Sequence, residues 1–285
     1  MSWILSVLCA VIYFILIIFA CLVIFAPSIL YWPVKDIQYI PNKPYRDLWL
    51  DNRIHAWHFN SYPHEKTVLF CHGSGGNISE RDYLIDICEK QRLNLLMFDY
   101  SGFGRSLGSP HSNQLLEDGR VAYRYLLNEG ISVNRIILWG ESMGGAIATK
   151  MAEEFGCHSL VLMATFSSLD DILRQRGGYV SAFLGMTARL ILPNTLPTVN
   201  ILGKLHCPII IAHSVDDDLI PFKCAEENFK RISHPRTLFL PIKGSHFYPD
   251  FTSEDLEKLF SFCDLDVTRA KELDYILHRL RTPLE

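Results

Sequence analysis

The sequence predicts an α/β fold in which a mainly parallel central sheet carries helices on both faces. Short apolar segments rich in β-branched residues alternate with longer amphipathic segments, as in successive β–α units. Several predicted strands are apolar on both faces, which is typical of strands buried between two helical layers. The composition is that of a globular protein, with 49% hydrophobic and 20% charged residues. A net charge of −4 without a Lys/Arg run argues against nucleic-acid binding.

Seven strands and five helices are expected after residue 35. The predicted strands cover residues 53–59, 67–72, 94–100, 135–140, 159–164, 208–214 and 237–242. The predicted helices cover residues 80–91, 112–129, 143–155, 222–231 and 253–263, and a further amphipathic helix is expected at 266–281. Because ligands of such sheets bind beyond the carboxyl ends of the strands, the residues that follow each strand are the candidates for a functional site.

Residues 166–206 interrupt the alternation between strands and helices. They contain the apolar amphipathic stretch "YVSAFLGMTARLIL", and glycines and prolines punctuate them. We interpret residues 166–206 as a small cap over the strand ends; the alternative is a longer crossover helix followed by a loop. In this interpretation the cap belongs to a single domain that covers residues 35–285.

Residues 1–34 form a separate apolar segment. All 27 Lys and Arg side chains and all 31 Asp and Glu side chains lie after it. Residues 3–26 are almost purely apolar, and about 20 such residues suffice to cross a bilayer. We expect a retained transmembrane anchor rather than a cleaved signal peptide, because a basic start and a small-residue cleavage site are missing. The basic residues that follow favour a cytosolic domain by the positive-inside rule, although either side is compatible with the sequence.

The cysteines do not indicate a disulfide framework or a metal site. Six of the eight lie outside the apolar segment, and their spacing shows neither pairs nor a C-x-x-C motif. We therefore expect buried free thiols, no bound metal and no cofactor.

A glycine-flanked serine provides the main functional signal. Gly140-Glu141-Ser142-Met143-Gly144 lies between a predicted apolar strand and a predicted helix. A G-x-S-x-G motif alone also occurs by chance in tight turns, but this strand–turn–helix context is typical of a nucleophile elbow. The sequence therefore predicts that Ser142 is a catalytic nucleophile.

A second glycine-rich loop follows an earlier strand. His72-Gly73-Ser74-Gly75-Gly76 is expected to supply one of two backbone N–H groups that stabilise an oxyanion. We assign these N–H groups to Ser74 and Met143, the residue that follows the nucleophile. A phosphate-binding loop is the weaker alternative, because the G-K-[ST] ending is absent.

An acid and a base are also expected after strands. His246 follows the last predicted strand and is the candidate general base. Three consecutive aspartates, Asp216, Asp217 and Asp218, follow the strand at 208–214, and their positions alone do not choose among them. Asp170 and Asp171, after the preceding strand, are a second acid position. His72 and His213 are interpreted as structural residues.

From about residue 36 to 265 the sequence resembles the α/β-hydrolase superfamily. The stretches that carry the resemblance are "HGSGGN", "FDYSGFGRSLGSP", "GESMGGAIA", "CPIIIAHSVDDDLIP" and "GSHFYP". It is most similar to the Bem46-like, membrane-associated members. Their H-G-x-x-D-x-x-[IV]-P pattern implies that Asp217 is the acid, although Ser214 stands where glycine is usual. The resemblance also implies the α/β-hydrolase fold and esterase, lipase or thioesterase activity without a cofactor.

Together these features predict a membrane-anchored serine hydrolase with an acyl-enzyme intermediate on Ser142. Its substrates would be acyl esters or thioesters of lipids or acylated proteins. The lipid bilayer would be a further binding partner. Two alternatives stay open: a serine peptidase of the same fold, and a catalytically silent binding protein, since fold does not determine function.

Overall fold

The structure, a computed structural model, describes residues 31–168 and 198–269 together with scattered positions among the first 20 residues. The second acid position at Asp170 and Asp171 lies outside these residues, as do most of the cap and of the helix at 266–281; the expected anchor is described only in part. Within the described residues, no helix combines the length and the apolar character that crossing a bilayer requires.

The described residues form a nine-stranded sheet flanked by six α-helices. The strands are β1 (Arg46–Leu50), β2 (Ile54–Phe59), β3 (Thr67–Cys71), β4 (Asn94–Phe98), β5 (Ile136–Glu141), β6 (Ser159–Met163), β7 (Ile209–Ser214), β8 (Thr237–Gly244) and β9 (Pro249–Asp250). The helices are α1 (Asp82–Lys90), α2 (Ser112–Asn128), α3 (Met143–Phe155), α4 (Thr198–Leu202), α5 (Lys223–Arg231) and α6 (Ser253–Phe262). Short 3₁₀ turns lie at Ile78–Glu80 and Val133–Arg135.

The sheet order is β1-β2-β4-β3-β5-β6-β7-β8-β9. The six strands from β4 to β8 in this order are parallel, whereas β1, β2 and β9 pair antiparallel at the two ends. The expectation of a mainly parallel sheet is confirmed, and each of the seven predicted strands is present.

Helices pack on both faces of the sheet, as predicted. Leu69 and Leu138 point to the face covered by α2 and α3, and the neighbouring Val68 and Ile137 point to the face covered by α1 and α6. Alternate residues of one strand therefore enter opposite halves of the core, which explains why these strands are apolar throughout. The six cysteines after the apolar segment are free thiols, and five of them are buried.

Two strands were not predicted. β1 has the sequence RDLWL, and it is largely exposed at the edge of the sheet. It forms an antiparallel hairpin with β2 through residues 51–53, in which Asp51 and Asn52 have φ angles of +50° and +52°. Such φ angles are those of a type I′ hairpin turn. β9 has only two residues and pairs with the end of β8.

Four loops that follow parallel strands meet at the carboxyl edge of the sheet. They begin after β3, β5, β7 and β8, so the glycine-rich loop, Ser142, the three aspartates and His246 all lie at this edge. The parallel sheet thus brings together residues that are up to 174 positions apart, from His72 to His246.

Candidate active site

Ser142 lies in a strained turn between β5 and α3. Its φ of +54° and ψ of −119° are unusual for a residue with a side chain. The backbone N–H of Ser142 donates to the carbonyl oxygen of Met163 (2.8 Å) and ties the turn to β6. A Cβ atom on Gly144 would overlap the carbonyl oxygen of Cys71, and one on Gly145 would overlap Thr165. Glycine is therefore required where α3 passes close to its neighbouring strands.

Ser142, His246 and Asp217 form a continuous hydrogen-bonded chain. Ser142 Oγ lies 3.1 Å from His246 Nε2, and His246 Nδ1 lies 2.8 Å from Asp217 Oδ2. Ser142 and His246 are each 7% exposed, and the Asp217 side chain is fully buried. With the Nδ1–H group donating to the carboxylate, Nε2 is free to accept the serine proton. This arrangement can activate a serine hydroxyl as a nucleophile.

Of the three aspartates, only Asp217 contacts the imidazole ring of His246. Its other oxygen accepts the backbone N–H groups of Leu219 (2.9 Å) and Ile220 (2.7 Å). Asp218 instead accepts the backbone N–H of His246 (3.3 Å). Asp217, the position that the family pattern implied, is thus the aspartate that lies against the imidazole, and its role as the acid stays a prediction.

The sequence indicates a structural residue at His213, and the structure places its imidazole against the Asp217 carboxylate. Its Nε2 lies 3.3 Å from Asp217 Oδ2 and 2.9 Å from the carbonyl oxygen of Ile220. Burial alone would raise the pKa of Asp217, but hydrogen bonds from His213 and His246 hold it well below its usual range. The carboxylate is therefore ionised at neutral pH, and the imidazole of His213 helps to orient it.

The glycine-rich loop, residues 72–76, passes directly beside the serine, and we call it the donor loop. A Cβ atom on Gly73 would lie 3.2 Å from Ser142 Cβ. Met143 is the first residue of α3, so its N–H is one of the free donors at a helix N-terminus. Among the described residues, the N–H groups of Ser74 and Met143 donate to no backbone carbonyl. Their assignment to an oxyanion hole stays a prediction.

A buried network of charged and imidazole groups lies behind the donor loop. Asp99 accepts the backbone N–H of Ile78 (2.9 Å), and its carboxylate lies 3.5 Å from His55 and 3.8 Å from His72. Burial lowers the pKa of His72 to about 4, although the charge of Asp99 opposes this shift. His72 is thus neutral at neutral pH, and its contacts agree with the structural interpretation. Asp99 directly follows β4, and this position after a strand is the signal by which the sequence could have identified it as a candidate residue near the site.

An ion pair joins the donor loop to the nucleophile elbow. Arg81 Nε donates to Glu141 Oε2 (2.9 Å), and its terminal NH2 group donates to the carbonyl oxygen of Gly75 (3.1 Å). The two charged side chains are 11% and 17% exposed. Sequence reasoning missed this pair, although Glu141 directly precedes Ser142. In residues 31–168 and 198–269, no group of His, Cys, Asp or Glu side chains is arranged to hold a metal ion.

The chain is similar in sequence and in structure to several known proteins. Residues 66–199 match the sequence profile of the α/β-hydrolase fold family. The α/β-hydrolase domain-containing protein WAV2 of Arabidopsis thaliana is 26% identical over 227 residues, which cover 71% of this chain and 74% of that protein. An esterase of Pyrococcus furiosus superimposes with a TM-score of 0.63 at 18% identity, covering 88% of this chain and 97% of its own.

A monoacylglycerol lipase of Paleococcus ferrophilus also shares the fold. Its TM-score is 0.55 at 14% identity, over 79% of this chain and 98% of its own. At these identities the structural similarity establishes the fold. Together with the matched profile and the order of the strands, it shows that this chain has the α/β-hydrolase fold.

Proposed function

We propose that this protein is a serine hydrolase that cleaves carboxylic ester or thioester bonds. The observation that carries the proposal is the chain of hydrogen bonds from Ser142 through His246 to Asp217, with distances of 3.1 and 2.8 Å. An imidazole whose Nε2 carries a free lone pair can take the proton of a serine hydroxyl. In this role Ser142 is the nucleophile, His246 the general base and Asp217 the residue that orients the imidazole.

The reaction has two steps in this proposal. Ser142 Oγ attacks the carbonyl carbon while His246 Nε2 takes its proton, and the N–H groups of Ser74 and Met143 stabilise the oxyanion. The intermediate collapses to an acyl-enzyme as the imidazolium protonates the departing alcohol or thiol. His246 then takes a proton from water, and the resulting hydroxide attacks the acyl carbon. The bond to Ser142 Oγ breaks, the imidazolium returns the proton to Oγ, and the carboxylic acid is released.

The apolar segment supports a proposal for the substrate class. We propose that residues 1–34 anchor the domain of residues 35–285 to a membrane, with the domain on the cytosolic side, and that residues 166–206 form a small cap. Acyl chains of lipids and of acylated proteins reside at such a surface. The esterase and the lipase that share the fold act on the bonds their names state, which favours the ester class here. A Bem46-like subtype is part of the same proposal.

The nucleophile is tested with a fluorophosphonate probe on the full-length protein. We expect labelling of the wild type and loss of labelling in Ser142→Ala, with both proteins equally folded by circular dichroism. Labelling that persists in Ser142→Ala would assign the reactive group elsewhere, and an unlabelled, folded wild type would support the silent binding protein.

The bond type and the anchor need separate measurements. A panel of matched esters, thioesters and amides of increasing acyl length should show turnover of the first two, whereas turnover confined to amides would identify a peptidase. The full-length protein should remain in the membrane pellet after alkaline carbonate extraction. Quantitative release by carbonate would contradict the proposed anchor.

A further inference from the structure

The segment that connects the apolar N-terminus to the domain lies across the donor loop. We call residues 31–39 the strap. Its Pro33 forms a parallel β-bridge with Gly76, the last residue of the donor loop. At its start, Tyr31 is only 3% exposed, and its hydroxyl lies 2.8 Å from Ser112 Oγ. The strap is therefore packed on the domain from its first described residue.

Asn77 joins the strap to the donor loop. This side chain is fully buried and directly follows the loop. Its Nδ2 donates to the carbonyl oxygens of Asp36 (2.7 Å) and Val34 (3.3 Å). Its Oδ1 accepts the backbone N–H of Ser79 (2.9 Å) and so caps the following 3₁₀ turn. One amide thus uses its donor side for the strap and its acceptor side for its own turn.

Other residues of the strap also form hydrogen bonds with the domain. The carbonyl oxygen of Val34 also accepts the backbone N–H of Gly104 (2.8 Å), in the loop that follows β4. Lys35 donates to the carbonyl oxygen of Ser106 (2.9 Å) in the same loop. Toward the end of the strap, the backbone N–H of Gln38 donates to Ser79 Oγ (2.8 Å). The strap thus connects the donor loop to the loop after β4.

The donor loop needs such external support. Gly76 has a φ of +75°, and a Cβ atom there would lie 2.6 Å from the carboxylate of Glu80, so the loop turns sharply just before Asn77. Ser74 lies two residues before this turn. An oxyanion donor is effective only when its N–H group is held in place before the charge develops. The direction of the Ser74 N–H therefore depends on what holds the chain at Gly76 and Asn77.

We propose that the strap positions the donor loop through Asn77, so that turnover depends on the segment that directly follows the apolar N-terminus. This inference rests on the proposed serine hydrolase activity. Among the described residues, no hydrogen bond joins Asn77 to Ser142 or His246, and Asn77 acts as a positioning residue. Because the strap begins five residues after residue 26, where the apolar run ends, the proposed anchor and the oxyanion donors are coupled through one short stretch of chain.

The test replaces Asn77 by aspartate in the full-length protein. Asn77→Asp keeps the acceptor that caps the 3₁₀ turn, but it removes both donor bonds and sets a carboxylate oxygen against two carbonyl oxygens. Loss of a single oxyanion donor lowers kcat by about 10²–10³-fold, so a displaced donor should cost about tenfold or more. With a short soluble ester we expect KM to stay within about threefold, because such a substrate relies little on remote binding.

Asn94→Asp is the matched control. Asn94 is 3% exposed, its Nδ2 donates to the carbonyl oxygen of Tyr62 (2.8 Å) and its Oδ1 accepts the N–H of Tyr62 (3.0 Å). It lies at the start of β4, at the edge of the sheet opposite to Ser142. Both variants should lower Tm, but only Asn77→Asp should lower kcat and slow fluorophosphonate labelling.

Ser79→Ala serves as a milder second variant if Asn77→Asp does not fold. It removes the acceptor for Gln38 and should lower kcat by about threefold, a fraction of the loss of a full donor. Unchanged kcat in whichever of the two variants folds, or equal loss of kcat in Asn77→Asp and Asn94→Asp, would overturn the inference. A folded wild type that is neither labelled nor active would instead refute the proposed function and the inference with it.

Discussion

Three neighbouring aspartates differ in what their carboxylates contact. Asp217 accepts hydrogen bonds from His246 Nδ1 and two backbone N–H groups, whereas Asp218 accepts one from the backbone N–H of His246. The N–H of Asp216 donates to Ser214 Oγ, and its side chain is exposed. Residues of the same type and adjacent position therefore have different expected roles, because the loop after β7 turns only one of them toward the imidazole.

Single substitutions at these positions should separate the roles. Asp217→Asn is expected to lower kcat by about 10³–10⁴-fold, because the amide favours the wrong imidazole tautomer and cannot stabilise the imidazolium. Asp216→Asn, the matched control, should change kcat by less than about twofold, since surface substitutions rarely act on a site. Ester turnover with purified variants is the measurement. An Asp217→Asn variant with wild-type turnover would show that another acid has the role.

At the scale of elements, the structure joins loops that are distant in sequence. Arg81 precedes α1 and Glu141 ends β5, and their ion pair also holds the carbonyl oxygen of Gly75 in the donor loop. Breaking a largely buried pair leaves one charge without a partner, which typically costs several kcal/mol. Because this pair lies between the donor loop and the elbow, its loss should disturb the relative position of the two.

We therefore expect Arg81→Met to lower both stability and kcat. The free energy of unfolding should fall by about 3 kcal/mol, and kcat by about tenfold if one donor is displaced. Arg120→Met is the control, since Arg120 pairs with Glu154 between α2 and α3 at the protein surface. That variant should lose no more than about 1 kcal/mol and keep its turnover. Equal kcat for the two variants would show that the Arg81 pair is purely structural.

At the scale of the whole molecule, buried histidines link folding to pH. Burial lowers the pKa of His58 to about 4, and the nearby Arg46 adds to this shift; burial lowers that of His72 to about 4 as well. In the unfolded chain both histidines titrate near their ordinary value of about 6.5. Between these values the unfolded state binds protons that the folded state does not, so stability falls as the pH decreases from about 6.5 to about 4.

At pH 5, each of these two histidines should lower the free energy of unfolding by about 2 kcal/mol. His58 lies on β2, outside the candidate site, so His58→Gln tests this effect without altering the hydrogen-bonded chain of Ser142. We expect Tm to fall less between pH 7.5 and pH 5 in the variant than in the wild type, by about 4 °C or more. Parallel Tm profiles for the two proteins would show that His58 does not titrate across folding.

Much of the fold and part of the site could be predicted from the sequence. The parallel strands are apolar on both faces, and the elbow is a local motif, so their signals lie within a few neighbouring residues. β1 lacked such a signal because an edge strand buries few apolar side chains. β9 lacked it because two residues are too few to show an alternation of apolar and polar residues. For the site, the position after a strand indicated Ser142 and His246 as candidates, but it did not choose the acid among Asp216, Asp217 and Asp218.

By itself the sequence determined the order of seven strands and five helices, the residue types at the carboxyl edge and the apolar N-terminal segment. Tertiary structure alone decided how far apart those residues lie and which groups support them. Tertiary structure places His213 beside Asp217, Arg81 between two loops and Asn77 beneath the strap. These contacts join segments that are distant in the chain or that a turn brings back together. The physical reason is that periodicity and motifs report local conformation, whereas hydrogen bonds across the edge of a sheet depend on how its strands are ordered in space.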